Sequence, residues 1–405
     1  MKTLKLRPTA IGAAALLALC LGTARADVVT DWNVTALGLT QGGPPPVEIR
    51  VLALTHVAIF DAVNATTNSH QPYMTPAVVA AAGSSADAAA ATAAHGVLLS
   101  LFPAQRMALD AALQVSLSKL PEGAPKNDGV AVGRQVAEQC IAMRSGDGWN
   151  AKGNYTPLAG AGKWQPTPPA MQPFGSVVWA DVTPFFLKSS TELSSPGPLA
   201  IDSDQYAKEI DEVRRIGARD SKERTADQTA AAVFTLINGG QLWSAAARTA
   251  AAAKGTTMPE NARIFAVANM AAMDALIAGW ALKKQYNVWR PITAIRAASA
   301  NPDPKWEPLI ITPPHPDYVS GHSITSGAWY RSLTLLFGGD GAPFSATYAG
   351  ALTRYYSGFT QAEKEIENAR IWAGIHTRTA DEHGTALGRR IGELAVQRAM
   401  KPMTP

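Results

Sequence analysis

Cysteine is almost missing from this 405-residue chain, which has only Cys20 and Cys140. A small scaffold stapled by disulfides is therefore excluded, and stability must come from a buried core. Cys140 sits in the helical pattern of residues 136–141 and reads as buried filler. Net charge is equally scarce. The first 26 residues hold four of the 36 Lys and Arg residues and none of the 32 Asp and Glu residues, so the remainder is neutral. A neutral body lacks the positive face that a nucleic-acid binder needs. Strand-like alternation is nearly absent, and no repeat recurs at a fixed period. With 47% hydrophobic and 17% charged residues, a disordered tail and a collagen are excluded as well.

What the chain does have begins with a leader-like start. Lys2, Lys5 and Arg7 precede an apolar stretch over residues 10–22, too short to span a bilayer, and Ala24-Arg25-Ala26 has the small-x-small cleavage pattern. Residues 1–26 are expected to be a signal peptide, with residues 27–405 forming one all-helical domain that is secreted or periplasmic.

Helical spacing dominates that domain. Helices are expected over residues 47–65, 77–102, 104–120, 126–145, 204–216, 241–254, 259–284, 320–337, 361–372 and 380–400. Thr225-Ala226-Asp227-Gln228 has capping-box spacing and predicts one more. Residues 264–282 are apolar enough to suggest a membrane span. Asn269 and Asp274 lie inside them and favour a buried core helix. Residues 157–198 break the pattern with eight prolines. Such an excursion is a linker or a lid, and its aromatics favour packing on the body.

Three segments of the C-terminal half each join a basic residue to a helix end. In Lys283-Lys284-Gln285-Tyr286-Asn287-Val288-Trp289-Arg290-Pro291, helical spacing would put Lys283 and Arg290 on one side about 10 Å apart. Pro291 predicts that the helix stops just before Arg290. In His315-Pro316-Asp317-Tyr318-Val319-Ser320-Gly321-His322, Ser320 is a good N-cap. The next N–H groups would form an oxyanion site, with His322 facing it and Gly321 permitting close approach. In Arg370-Ile371-Trp372-Ala373-Gly374-Ile375-His376, the histidine lies on a link before a helix expected to open at Ala380. Singly, each reads equally well as a capped or salt-bridged helix end. Together they supply cations, donors and two imidazoles for a multiply charged tetrahedral oxyanion.

In that order, Lys-x6-Arg-Pro, Ser-Gly-His and Arg-x5-His resemble the signature of the vanadium-dependent haloperoxidases and of the phosphatidic acid phosphatase type 2 superfamily that includes them. The resemblance covers residues 283–383 and implies an all-α, helical-bundle architecture of ten or more helices. It implies vanadate as cofactor, coordinated by His376, the one vanadium ligand. Lys283, Arg290, Ser320, the Gly321 amide and Arg370 would hold its oxygens, with Lys283 also polarising bound peroxide and His322 as the acid–base group. Hydrogen peroxide and halide are the implied partners. His315 stands where the family's bromoperoxidases carry His and its chloroperoxidases Phe, which implies a preference for bromide or iodide. The alternative on the same residues is an acid phosphatase that hydrolyses phosphomonoesters through a phosphohistidine. A non-catalytic anion-binding scaffold is a third reading. No nucleic acid and no membrane span in the mature chain are expected, and a homo-oligomer stays open. Two departures stand out: Val319 replaces the usual Pro, and Ala380 stands where an Asp usually orients the last His. Either Asp381, one residue later, or another group is expected to hold His376.

Overall fold

The computed structural model describes residues 27–153, 155–297 and 301–403; the expected signal segment lies outside them. Helices account for nearly all the regular structure among the described residues. The N-terminal set comprises α1 (Val28–Thr40), α2 (Pro45–Thr67), α3 (Ala86–Leu101), α4 (Arg106–Ser118) and α5 (Ala124–Arg144). After the proline-rich excursion come α6 (Asp204–Ile216), α7 (Ala226–Phe234), α8 (Gly239–Lys254), α9 (Met258–Tyr286), α10 (Pro291–Ala297) and α11 (Gly321–Phe337). A small antiparallel hairpin, β1 (Phe344–Tyr348) and β2 (Leu352–Tyr356), precedes α12 (Phe359–Trp372) and α13 (Arg378–Arg398). The fold is therefore all-α apart from one hairpin. That hairpin is a correction to a reading that found almost no strand signal: Phe344, Ala346 and Tyr348 alternate, and the turn places Ala349 and Gly350 at positive φ.

The central helix is α9. The Glu260 carboxylate closes its start by accepting from the Thr257 N–H (2.7 Å) and hydroxyl (2.8 Å), and Asn287 ends it in the left-handed region at φ 54°. Its most apolar stretch has a mean hydropathy of 1.5 and is 94% buried. The burial is within the protein: α2, α11 and α13 pack around it. Asp274, the polar residue inside that stretch, accepts the backbone N–H groups of Phe185 (2.6 Å), Phe186 (2.9 Å) and Leu187 (2.9 Å). A buried carboxylate is costly unless bonded, and here it fastens the excursion to the core.

Most expected helices lie within a few residues of the observed ones. Two corrections matter. Residues 77–85 are not helical, because Gly83 takes φ 82° and Ser85 caps the helix that follows. The last helix opens at Arg378 rather than Ala380, with Thr377 at the N-cap position. His376 thus immediately precedes the cap.

α11 and α13 lie in backbone contact. A Cβ at Gly388 would collide with the carbonyl oxygen of Ile324, and one at Gly327 would come within 2.5 Å of the Thr385 oxygen. Only glycine permits this approach, which draws the start of α11 towards the start of α13.

One buried histidine supplies a stability test. His56 on α2 is fully enclosed and accepts from the Asn33 amide nitrogen at 2.9 Å; Asn33 in turn accepts from Arg248 at 2.5 Å. Burial, with the Arg248 charge adding to it, pushes the imidazole from 6.5 down to about 3. Between those values the unfolded chain binds the proton and the folded one does not. This group's contribution is fully present above pH 6.5 and is lost as pH falls towards 3, at about 1.4 kcal/mol per unit. We expect urea unfolding of His56→Gln to be less stable than wild type at pH 7 but to lose less stability between pH 6.5 and 4. Parallel curves would refute this.

Candidate active site

Lys283 projects from the last turn of α9, fully buried, and donates to the carbonyl oxygens of Pro316 (2.7 Å) and Asp317 (3.1 Å). Arg290 does not share its helix. The chain leaves α9 at Asn287, and Arg290 sits on the link to α10, so the two cations meet through the fold rather than along one helical face. The excursion shapes that link. Trp164 N–H donates to the Asn287 carbonyl (2.8 Å), Trp289 N–H to that of Gly162 (3.0 Å), and the Tyr155 hydroxyl to the Asn287 side chain (2.6 Å). Of the linker and lid readings neither describes it fully: residues 155–164 act as a strap.

Arg290 reaches three ways. It donates to the carbonyls of His315 and Ile375, both at 2.6 Å, and its Nη2 lies 2.9 Å from His315 Nδ1. A guanidinium only donates, and at 2.9 Å it is closer to His315 Nδ1 than the Pro316 carbonyl at 3.3 Å, so Nδ1 accepts from Arg290 and the ring proton is assigned to Nε2. Arg290 Nη1 lies 3.1 Å from His376 Nε2.

His376 is the most constrained imidazole of the site. Its Nδ1 is 2.6 Å from Asp317 Oδ1, and the Thr377 hydroxyl donates to Asp317 Oδ2 at 2.8 Å. The carboxylate accepts the Nδ1 proton, which leaves Nε2 with its lone pair. Asp317 is thus the partner of His376. Asp381 is not: its Oδ1 accepts from the Ser323 hydroxyl (2.7 Å), and the Ser320 side chain bonds to the same carboxyl. Sequence reasoning missed Asp317, although it stands in the quoted segment three residues before Ser320. Its position on a loop gave no periodicity to read.

Ser320 caps α11, accepting from Ser323 N–H. The N–H groups of Gly321 and His322 open the helix and have no intrahelical acceptor. His322 donates Nε2–H to the Thr235 carbonyl at 3.1 Å, since a carbonyl only accepts; Nδ1 keeps the lone pair. Arg370, at the end of α12, donates to the Thr235 hydroxyl at 2.6 Å, and its Nε has no partner. Thr235, at the end of α7, is a second residue the sequence did not flag.

Burial, with Arg290 and Lys283 adding to it, pushes His376 and His315 well below the usual imidazole range; burial and Arg370 do the same to His322. Burial draws Arg290 and Arg370 down to about 10, so both stay cationic near neutrality. Burial likewise lowers Lys283 well below its ordinary range, with Arg290 adding to it. Burial raises Asp317 to about 6 against the pull of Arg290, and raises Asp381 well above the carboxylate range. Neutral rings therefore stand beside Arg290, which faces Asp317 at 3.9 Å, and Arg370, which has no carboxylate partner among the described residues.

The site opens into a pocket of about 320 Å³. His315, Gly321, His322, Arg370 and His376 form its polar end; Lys283, Arg290 and Ser320 stand behind them. Most of the rest is apolar, including Pro44, Pro45, Pro46, Phe234, Leu276 and Trp280, with the hydroxyl residues Ser176, Thr235, Thr325 and Ser326 among them. The donor set suits one tetrahedral oxyanion: a fixed imidazole lone pair, an unpaired Arg370 Nε, a helix N-terminus and buried cations.

Comparison with known proteins agrees with that chemistry. Residues 263–405 match the family model of the VCPO second helical-bundle domain. The chain is similar to the vanadium chloroperoxidase of Curvularia inaequalis, at 24% identity over 401 residues, an alignment covering 77% of this chain and 66% of that one. The match thus spans just under two thirds of that relative's length. The crystal structure of the first bacterial vanadium-dependent iodoperoxidase superposes with a TM-score of 0.79 at 26% identity, covering 93% of this chain and 96% of that one. A bacterial vanadium-dependent chloroperoxidase in its holo form superposes at 0.73 with 17% identity, covering 92% of each chain; at that identity the likeness concerns the fold.

Proposed function

We propose that the chain is a member of the vanadium haloperoxidase superfamily, as its matched bundle and its relatives support, and that it is an exported, vanadate-dependent haloperoxidase that oxidises bromide or iodide with hydrogen peroxide. The observation that carries the reading is His376 Nε2, a lone pair fixed by Asp317 and set at the cationic end of a mostly apolar pocket. His376 would coordinate the vanadium. Lys283, Arg290, Ser320, the Gly321 N–H and Arg370 would hold the oxygens. When bound, vanadate supplies Lewis acidity towards hydrogen peroxide without changing oxidation state.

The chain's own groups do the rest. His322, its Nε2–H tied to Thr235, offers Nδ1 as the proton acceptor. The proline and aromatic walls exclude water from the charged end and so strengthen its electrostatics. His315 acts as a neutral polar ring rather than a protonated one, because Arg290 donates to its Nδ1. Its Nε2–H offers a polarity that a phenyl ring would lack, which underlies the preference proposed for the softer halides. Export rests on the leader-like residues 1–26.

The same lone pair would serve a phosphomonoester hydrolase as nucleophile, and one experiment separates the two. Vanadate added to metal-free protein should restore peroxide-dependent oxidation of bromide and iodide, with chloride slower. Inhibition of p-nitrophenyl phosphate hydrolysis by vanadate, without any halide oxidation, would favour the phosphatase. Chloride rates equal to bromide rates would remove the role given to His315.

A further inference from the structure

Thr235 touches two of the proposed site groups and belongs to none of the motifs. It is the C-cap of α7 and buried, 87 residues before His322 and 135 before Arg370. Its hydroxyl donates to the Ala232 carbonyl (2.7 Å) and accepts from Arg370 Nη1 (2.6 Å). Its carbonyl accepts from His322 Nε2 (3.1 Å) and, more distantly, from Arg370 Nη1 (3.4 Å). Its own N–H is taken by the carbonyls of Ala231 and Ala232, which fixes the backbone of the cap. One residue therefore anchors a cation from α12 and an imidazole from α11.

The choice of a neutral anchor matters. Arg370 forms no ion pair within 4 Å among the described residues. The carboxyl whose charge acts on it, Asp381, is bonded to Ser320 and Ser323 and is itself driven towards neutrality by burial. A carboxylate at position 235 would hold the guanidinium equally well and cancel its charge. A hydroxyl holds it and leaves the charge to whatever anion enters the pocket. The hydroxyl is also directional: bonded onward to Ala232, it presents its lone pair to Arg370.

We propose that Thr235 is a positioning residue of the oxyanion site, which orients Arg370 through its hydroxyl and sets the His322 tautomer through its carbonyl while leaving the Arg370 charge uncancelled. The proposal deepens the functional reading above and rests on it.

The test is calorimetric binding of inorganic phosphate and of vanadate to the metal-free full chain, with thermal unfolding measured alongside. Thr235→Val removes the hydroxyl at nearly constant volume. It should weaken both anions about 10-fold or more, the usual effect of losing a hydrogen bond to a charged group. Thr235→Ser should restore binding to within about twofold of wild type. Thr235→Asp should bind more weakly than Thr235→Val although it can still hold Arg370, because it cancels the charge. A purely structural threonine would lower the melting temperature in Thr235→Val and leave anion affinity within twofold of wild type; that result overturns the proposal. Wild-type affinity in Thr235→Asp overturns it too. Failure of the wild-type protein to bind either anion overturns the functional reading, and this inference with it.

Discussion

His376→Ala should abolish vanadate binding and, with it, peroxide-dependent halide oxidation, while His322→Ala should keep the anion and slow turnover about 10²–10⁴-fold. The difference follows from what each ring does. His376 is clamped at Nδ1 by Asp317 at 2.6 Å, buried, and left with one lone pair at Nε2. Arg290 and Arg370 are donors only, Asp317 is occupied by His376 and Thr377, and the other imidazole lone pair, His322 Nδ1, belongs to a ring tied to the Thr235 carbonyl at the start of α11. His322 stands at the start of α11, tethered through Nε2 to Thr235, and its loss leaves every cation in place. Vanadium content after dialysis, measured beside steady-state rates, separates binding from turnover. Equal retention of vanadium by His376→Ala and wild type would contradict the assignment.

Asp317→Ala should weaken vanadate about 10–100-fold, the usual cost of removing the group that orients a metal-bound histidine. Three effects act together. The ring loses its Nδ1 partner and hence its fixed tautomer. Thr377 loses the acceptor at 2.8 Å, and Lys283 and Arg290 lose their nearest negative charge. The last effect alone would favour an anion, so the expected weakening measures how far orientation outweighs charge. Asp381→Ala is the comparison. Its carboxyl is bonded to Ser323, away from His376, so vanadate affinity should fall less than in Asp317→Ala. A larger loss for Asp381→Ala would restore the arrangement in which the residue after the histidine link orients the ring.

That contrast shows where the sequence was legible. Spacing reads well inside regular elements. The extent of α6 and the caps of α7 and α11 follow from local residues, while the gathering of the three motif segments follows from their shared anion-binding chemistry. It reads poorly where a loop residue acts across the fold. Asp317 and Thr235 meet their partners 59 and 135 residues away, and no periodicity announces either. The helix expected from residue 77 fails for a related reason: alanine favours helix along the whole stretch, but Gly83 and the Ser85 cap decide where it begins. In the excursion, aromatic content indicated packing, whereas the bonds from Trp164, Trp289 and Tyr155 that make it a strap run between segments more than 120 residues apart.

That strap lies outside the segment that carries the motif groups. The bundle that matches the family model, residues 263–405, carries Lys283, Arg290, Ser320, His322, Arg370 and His376. Yet the link bearing Arg290 takes its course from residues 155–164, and Val288 on that link accepts the Asp317 N–H at 2.9 Å. The strap thus bears, at one remove, on the loop that orients His376. A recombination that moved the bundle alone onto a foreign partner would transfer every group proposed to hold vanadate, but neither Thr235 nor the strap that shapes the site. The segment that matches the family model and the operating unit have different boundaries, and the proline-rich crossing is what joins them.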